Sequence, residues 1–507
     1  MDKVSKQVMV AEAPCNAPCP ASPRQRFASR FLLGLALALA ALFAALQLSK
    51  WPARVRYPGE LESVEGIVLA EMTLLRQGEP VYAPASPEKF RSMIYGPLYY
   101  LLGSRLVHPQ EPDYTWLRML SLVATLALAG ACGLLAWWIT ENPAAAALSL
   151  LMFLAYRFVT RYGVTARSDS VALLLWFSGF LVAYRFRDSK KILWSIPLMT
   201  LGAYYKQQFI VAPLAVVLFL VLEKRYRMVL QFAALLGAAG LSSLAAFEFL
   251  VFRHQAFLLH FLTYNLLPLS LSEGLPRRLL ALLILFLIPG IMALRFLQLH
   301  PHKLLACYFG CAVVLLPVMA SKQGSALNYG LELFLILCPL AASYLTTRIN
   351  SPARAAPLIC VLGVALWLGH LEGGKRFEPS PQDFAQEQAV QAFLRANFPP
   401  HTLALGYFTG DLLQAGLSTP ITDLFQYSWL VCKGDFREEG FVAQIRRRRF
   451  GVILLNQDLT SPSYTQDPVK PCLTKPVRQA IVHNYRLAET FEFELWDKRP
   501  HYAWVRR

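Results

Sequence analysis

Long, predominantly apolar stretches with few charged residues recur along the chain from residue 31 to residue 370 and then stop. A helix needs about 20 such residues to cross the hydrocarbon core of a bilayer. Eleven segments qualify as candidate spans, at residues 31–48, 114–139, 144–160, 171–186, 192–205, 209–222, 229–251, 279–296, 304–320, 329–346 and 357–370. The pattern predicts an α-helical polytopic membrane protein with about eleven transmembrane helices.

The tail from residue 371 has a different pattern. It combines an amphipathic helical stretch, FAQEQAVQAFLRANF, with the short apolar runs TLALGYF and GVILLN and with turns rich in Pro, Gly and Asp. This alternation predicts a small α/β domain. We therefore expect a disordered cytoplasmic tail at 1–30, a multi-span domain at 31–370 with a large outer loop at 49–113, and an extracytoplasmic α/β domain at 371–507.

The composition supports a membrane protein, with 55% hydrophobic residues and a mean hydropathy of +0.40. The net charge of +17 lies largely in short loops such as RFRDSKK and EKRYR. Cationic loops of this kind are cytoplasmic, which places the N-terminus inside and the tail outside. The chain lacks zinc-ligand spacing, an RNA-binding signature and a basic helix-turn-helix pattern. These features favour membrane lipids as partners and exclude nucleic acid.

The nine cysteines give no metal-binding pattern beyond Cys15 and Cys19, which lie in a Pro/Ala-rich segment. No metal or other cofactor is indicated, although the sequence does not exclude a divalent ion. Cys432 and Cys472 both fall in the tail, where an oxidising compartment permits a disulfide. Whether they pair is left open by the sequence.

The first outer loop contains three closely spaced carboxylates, Glu60, Glu62 and Glu65, in YPGELESVEGIVLAEM. A helical pattern follows them, and carboxylates at the start of a helix are stabilised by its positive end. Capping alone is therefore one interpretation. The other is catalytic, because a carboxylate beside a bilayer can remove a proton from an acceptor hydroxyl.

Further polar residues fall on the same predicted outer face, and ionisable groups near a membrane interior mark functional sites. Arginine binds phosphate in a forked geometry and lysine binds it as a point charge. Asp169 is a second candidate acid, with helix capping as its alternative role, and Tyr95 lies in a tyrosine-rich run typical of an aromatic belt. The candidate ligands of an anionic substrate are Arg161, Arg167, Lys206, Gln207, Lys322, Gln323, Asn328, Tyr329, Glu332 and Tyr95.

These motifs, taken in order, resemble the GT-C superfamily of membrane glycosyltransferases, in particular the bacterial branch similar to protein O-mannosyltransferases and lipid A aminoarabinose transferases. The resemblance is carried by GELESVEG, RQGEPVY, YGPLYYLL, the RSD turn, YKQQF and QGSALNYGLE. Two departures stand out. Spaced glutamates replace the Asp-Glu pair usual in the first loop, and YGPL replaces a His-Pro-Pro-Leu or Lys-Pro-Pro-Leu run.

The resemblance implies an enzyme of the bacterial inner membrane that transfers a sugar from a polyprenyl-phosphate donor to a lipid, glycan or protein acceptor on the outer face. It implies an inverting reaction in which one of the three glutamates is the general base, with Asp169 as a second acid. The alternative is a transporter or flippase of a lipid-linked anion, which would carry its ionisable residues near mid-span. The sequence leaves the sugar, the acceptor and the oligomeric state undefined.

Overall fold

The structure is a computed structural model. It describes residues 22–253, 255–265, 269, 274–322, 325–349, 351–371, 377–434, 437–461, 473–495 and 500–507. Gln323 and Cys472 lie outside these residues, as does the side chain of Cys432, so the predicted role of Gln323 and the pairing of the two cysteines stay predictions.

Fifteen helices precede the tail in the described chain. They are α1 (Pro23–Leu48), α2 (Trp51–Arg56), α3 (Ser63–Arg76), α4 (Pro97–Leu106), α5 (Thr115–Thr140), α6 (Pro143–Ala155), α7 (Arg157–Gly163), α8 (Asp169–Arg185), α9 (Ile196–Tyr205), α10 (Val211–Leu222), α11 (Tyr226–Ala246), α12 (Gly274–Leu299), α13 (Lys303–Ser321), α14 (Gly330–Arg348) and α15 (Pro352–Leu371). Short 3₁₀ segments occur at Lys190–Ser195 and Leu327–Tyr329, and π-helical segments at Phe247–Val251 and Leu259–Tyr264.

Each predicted span overlaps one of these helices, except that the span at 144–160 covers α6 and part of α7. Among the described residues, seven helices are long and apolar enough to cross a membrane, and the count is eight if α6 and α7, which meet at an angle of 71°, form one span. The other helices that overlap predicted spans, α8, α9 and α10, have 17, 10 and 12 residues. The predicted polytopic helical fold is confirmed, with seven or eight helices of full spanning length.

Helix α14 lies at the centre of the membrane region and packs against α5, α6, α12 and α13. Its Phe334 is fully buried and stacks on Phe286 at 5.5 Å between ring centroids. Because lipid is as apolar as these side chains, close packing rather than water exclusion holds such helices together. The N-terminal end of α14 is thereby fixed at one membrane face.

The tail domain contains a four-stranded mixed sheet in the order β1-β2-β4-β3, with β1 parallel to β2 and the other pairs antiparallel. Its strands are β1 (Ala404–Gly406), β2 (Val452–Leu455), β3 (Tyr485–Phe491) and β4 (His501–Arg506); its helices are α16 (Pro381–Asn397), α17 (Thr409–Gln414), α18 (Leu424–Lys433), α19 (Glu439–Arg446) and α20 (Lys475–Asn484). Every residue of β2 is buried, as expected for a strand covered on both faces. The predicted small α/β domain is thus present.

The tail domain is docked on the first loop through buried polar contacts. Glu71 of α3 accepts hydrogen bonds from the backbone N–H of Ser92 at 2.6 Å and from the Thr422 hydroxyl at 2.9 Å. Burial raises the pKa of Glu71. Burial, and then the nearby Glu71 carboxylate, raise the pKa of Asp423 to about 7. The loop and the tail domain therefore lie on the same membrane face, which we call the tail side.

Candidate active site

The candidate site is built around Asp169, the first residue of α8, whose side chain is fully buried. One carboxylate oxygen accepts hydrogen bonds from the Lys206 ammonium at 2.8 Å and from the Asn328 amide at 2.6 Å. The other oxygen pairs with Nε of Arg167 at 3.0 Å. Residues from α8, the end of α9 and the segment before α14 are therefore held together by one acid.

Lys206 is enclosed by aromatic rings as well as paired with Asp169. Its ammonium lies 5.3 Å from the ring centroid of Tyr95, 5.2 Å from that of Phe209 and 5.4 Å from that of Tyr329. Aromatic faces attract a cation, and more strongly when water is excluded. Burial lowers the pKa of Lys206, and the Asp169 carboxylate opposes this shift. The surroundings thus hold a desolvated cation at a fixed position.

Glu62 joins this group through Arg167. One guanidinium nitrogen of Arg167 donates to a Glu62 carboxylate oxygen while its Nε contacts Asp169. The Glu62 side chain is 15% exposed, whereas those of Asp169 and Glu65 are fully buried. Of the three first-loop glutamates, Glu62 is the one that pairs with this buried cluster and also retains solvent exposure.

Glu65 is bound in a separate, closed network. Its carboxylate forms a two-point ion pair with Arg118, with distances of 3.0 Å and 2.6 Å, and both side chains are fully buried. It also accepts the backbone N–H groups of Leu61 at 2.7 Å and Ala166 at 2.6 Å. Since its two oxygens are occupied by four donors, Glu65 is positioned to fix the loop against α5.

Glu60 contacts the tail domain. Its carboxylate accepts the backbone N–H of Gly410 in α17 at 2.6 Å, and its side chain is fully buried. The packing there leaves no room for larger residues, because a Cβ added at Gly66 would lie 2.1 Å from a Glu60 carboxylate oxygen and 2.5 Å from the Gly410 nitrogen. Glu60 therefore links the segment before α3 to α17.

Lys322, at the C-terminal end of α13, donates to the carbonyl oxygen of Asn265 at 3.0 Å. Burial and then the proximity of Lys206 lower its pKa to about 8. Lys322 forms no ion pair with the described residues. It is therefore a cation beside the cluster whose charge is not neutralised by a carboxylate of the described chain.

The remaining predicted residues have more varied positions. Tyr329 donates from its hydroxyl to Gln208, and Gln207 is half-buried beside Lys206. Glu332 accepts the backbone N–H of Val211 at 3.1 Å, at the N-terminal end of α10. Arg161 lies in a different group, where its guanidinium is stacked over Phe377 at 3.9 Å.

Two residues of these networks were not singled out in the sequence. Arg118 is the only charged residue in the predicted span at 114–139, and a charge within an apolar run is the signal that would have identified it. Glu71 lies among the apolar residues of α3, where a carboxylate on a buried helix face requires a partner. Both form structural contacts between the loop and its surroundings.

Metal binding by the described residues finds no support in their arrangement. They contain no group of three or more His, Cys, Asp or Glu side chains placed to hold an ion. Glu62 and Asp169 are bridged by the Arg167 guanidinium instead.

The fold and this cluster define a polytopic membrane protein with a polar site on the side that carries the tail domain. In comparisons with solved structures, the chain is similar to ArnT from Cupriavidus metallidurans. The structure of ArnT in the apo state matches with a TM-score of 0.56 at 10% identity, over 91% of this chain and 97% of ArnT. ArnT bound to undecaprenyl phosphate matches with a TM-score of 0.57 at 11% identity over 91% and 97%.

A third solved structure, the Archaeoglobus fulgidus oligosaccharyltransferase in complex with Zn and sulfate, matches with a TM-score of 0.53 at 12% identity, over 83% of this chain and 67% of that one. No protein-family model matches the sequence. No curated protein matches it either. The expected GT-C-like fold is confirmed by these structural matches.

Proposed function

We propose that the chain is a glycosyltransferase that moves a sugar from a polyprenyl-phosphate donor to an acceptor at the tail side of the membrane. The observation that carries this proposal is the cluster in which Asp169 fixes Lys206 and Arg167, and Arg167 contacts Glu62. The similarity of fold to ArnT, one of whose structures holds undecaprenyl phosphate, supports a donor of this class. We further propose that the tail side is extracytoplasmic and that the membrane is a bacterial inner membrane.

In the proposed reaction Glu62 is the general base. It removes the proton of the acceptor hydroxyl as the oxygen attacks the anomeric carbon, and the bond from that carbon to the phosphate oxygen breaks in the same step with inversion. A general base of this kind contributes a factor of about 10²–10⁴ in rate. The partial exposure of Glu62 supports this assignment, because an acceptor has to reach the base.

The leaving group in this scheme is polyprenyl phosphate, and Lys322 and Lys206 stabilise the negative charge that develops on it. Prearranged cations in a dry site are commonly the largest contribution to catalysis. Lys322 suits this role because its charge is not neutralised by a carboxylate among the described residues. Asp169 is a positioning residue that holds Lys206 and Arg167 in place.

Two buried polar atoms support substrate binding at the same place. The Tyr95 hydroxyl and the Asn328 amide oxygen have no hydrogen-bond partner among the described residues. Buried polar atoms are nearly always paired in native proteins, with protein, water or ligand. Both residues border the Lys206 ammonium or Asp169, so a sugar hydroxyl bound there would satisfy them.

The general-base assignment is tested by sugar transfer from polyprenyl-phosphate donors in membranes that contain the Glu62→Gln variant. We expect the transfer rate to fall by about 10²–10⁴ while the protein remains folded. Glu88→Gln, which changes an exposed glutamate of the same loop, is the matched control. Full transfer by Glu62→Gln would rule out this residue as the base.

The donor assignment is tested separately by binding, with undecaprenyl phosphate and undecaprenol as probes for the full chain in nanodiscs. We expect the phosphate to bind at least tenfold more tightly than the alcohol, and Lys322→Gln to remove most of that difference. Equal binding of the two lipids would contradict a phosphate site at these cations.

The acceptor is proposed to reach Glu62 from the tail domain, which is in contact with the same loop. Removing residues 378–507 should therefore lower transfer to the natural acceptor. The deletion also exposes Glu60 and Glu71, so it needs to be compared with a point variant of the interface. If the deletion variant and the point variant are both folded and both transfer the sugar at the normal rate, the tail domain has no part in acceptor recognition.

A further inference from the structure

A second cationic group lies where the tail domain leaves the membrane region. We call it the linker cluster, and it consists of Lys50, Arg54, Arg157 and Arg161 together with Phe377 and Glu378. Arg157 pairs with Glu378 at 2.8 Å, and Lys50 approaches the other carboxylate oxygen at 3.4 Å. Arg54 donates to the carbonyl oxygens of Phe377 and Arg161.

The linker cluster concentrates positive charge in a small volume. Among the described residues, Lys50 and Arg157 share a single carboxylate, that of Glu378, although one ion pair would be enough to join the tail domain to the membrane helices. Arg54 and Arg161 add two more guanidinium groups beside them. The side chains of Lys50 and Arg157 are 24% and 12% exposed, and together they carry one positive charge more than the carboxylate that they share.

The cluster borders a surface that faces lipid. It lies at the adjoining ends of α1 and α15, which pack against each other, and Arg157 donates to the carbonyl oxygen of Leu371 at 3.2 Å. The neighbouring apolar side chains are exposed, to 41% for Leu46, 53% for Trp367 and 40% for Leu371. Acyl chains lying against this surface would bring a headgroup to the level of Lys50 and Arg157, the partly exposed cations of the cluster.

We propose that the linker cluster binds the phosphate of an anionic membrane lipid whose chains lie against α1 and α15. Arginine presents a planar fork that matches phosphate, and lysine adds a compact charge. Interfacial cations attract anionic lipids over a short range. The bound lipid anchors the start of the tail domain to the membrane surface.

This site is separate from the one around Asp169 but adjoins it. The ring of Tyr162 lies between two guanidinium groups, 4.9 Å from that of Arg161 and 5.5 Å from that of Arg167. Arg161 belongs to the linker cluster and Arg167 to the candidate active site. A lipid that holds the linker cluster in place therefore also restrains the element that carries Arg167, whether or not the chain is a glycosyltransferase.

The test uses the purified full chain in detergent, with phosphatidylglycerol as the anionic probe and phosphatidylcholine as the zwitterionic comparison. Native mass spectrometry counts retained lipids, and thermal unfolding measures stabilisation. We expect phosphatidylglycerol to be preferred, and the Lys50→Gln/Arg157→Gln double variant to bind it more weakly by about fivefold for each charge removed. Arg157→Lys, which keeps the charge but loses the fork, should retain most of the binding.

The matched control is Arg105→Gln, which removes an exposed arginine of the first loop at the end of α4 and should leave lipid binding unchanged. Equal retention of phosphatidylglycerol by the double variant and the control would overturn the proposal. Stabilisation by inorganic phosphate as strong as that by the lipid would also overturn it, because the anion would then be soluble.

A measurement on the unaltered protein covers the case in which the double variant does not fold. A photoactivatable phosphatidylglycerol in nanodiscs should label residues near 46–50 and 367–371 in preference to other lipid-facing segments. Uniform labelling of all exposed spans would reject a defined site at the linker cluster.

Discussion

Replacing Glu65 by Gln should destabilise the protein, in contrast to the same change at Glu62. Glu65 and Arg118 are both fully buried and meet through two hydrogen bonds. Gln keeps the size of the side chain but removes the charge, and it offers an amide group where two backbone N–H donors and a guanidinium already point. Arg118 would remain as a buried cation without its carboxylate.

The size of the effect follows from this burial. Removing one partner of a buried ion pair costs about 3–5 kcal/mol, because the other charge stays desolvated. Arg118 also donates to the carbonyl oxygens of Tyr57 and Gly59, so the loss should extend to the start of the first loop. That cost is a large fraction of the roughly 5–15 kcal/mol by which a typical protein is stable.

Thermal unfolding in detergent, followed by size-exclusion chromatography with fluorescence detection, measures the effect. We expect Glu65→Gln to lose several degrees in Tm relative to Glu88→Gln, and Glu62→Gln to stay close to that control. A double variant, Glu65→Gln/Arg118→Met, should recover part of the loss because it removes the unpaired charge. If Glu65→Gln is as stable as the control and yet inactive, Glu65 is a catalytic residue and our interpretation of its network is wrong.

Three further predictions concern pH and packing. Because the pKa of Asp423 is raised to about 7, the folded state binds a proton that the unfolded state releases, and stability should fall as pH rises from about 4 to 7. Asp423→Asn should flatten this pH dependence of Tm. The control Asp113→Asn changes an exposed acid with a similar backbone hydrogen bond and should leave the dependence unchanged. Gly66→Ala should lower Tm and loosen the tail domain to proteolysis, while Gly130→Ala, where a Cβ has open space, should be neutral or slightly stabilising. With a pKa of about 8, Lys322 loses its charge as pH rises past 8, so undecaprenyl phosphate binding should weaken there. Lys322→Arg should abolish that decline. Identical pH profiles of binding for the unaltered chain and Lys322→Arg would contradict the assignment of Lys322 to the phosphate.

The sequence was a good guide to the membrane helices because apolar runs of this length seldom occur outside membrane spans. It predicted the tail sheet from runs such as GVILLN, which forms the buried strand β2. Spanning length was harder to judge, since the break between α6 and α7 occurs at Tyr156 with no proline or glycine to indicate it. Packing against neighbouring helices decides such bends, and a single sequence does not contain that information.

The candidate site could likewise be predicted only in part from the sequence. Polar residues at span ends could be assigned to one face, and the structure brings Asp169, Arg167, Lys206 and Asn328 together. The separate surroundings of the three glutamates could not be predicted, because they differ through contacts with residues far away in the chain, such as Arg118 and Gly410. The roles proposed for these residues remain predictions.

The contact between Glu60 and Gly410 has a consequence for the order of assembly during synthesis. The two residues are 350 positions apart, so the first loop is translated long before its partner exists. At about 5–20 residues per second, the interval is about 20–70 s, during which Glu60 and Glu71 lack their partners in the tail domain. We expect nascent chains halted before residue 410 to be cleaved by protease in the first loop, and full-length chains to resist; early resistance would show that the loop matures without its late-made partner.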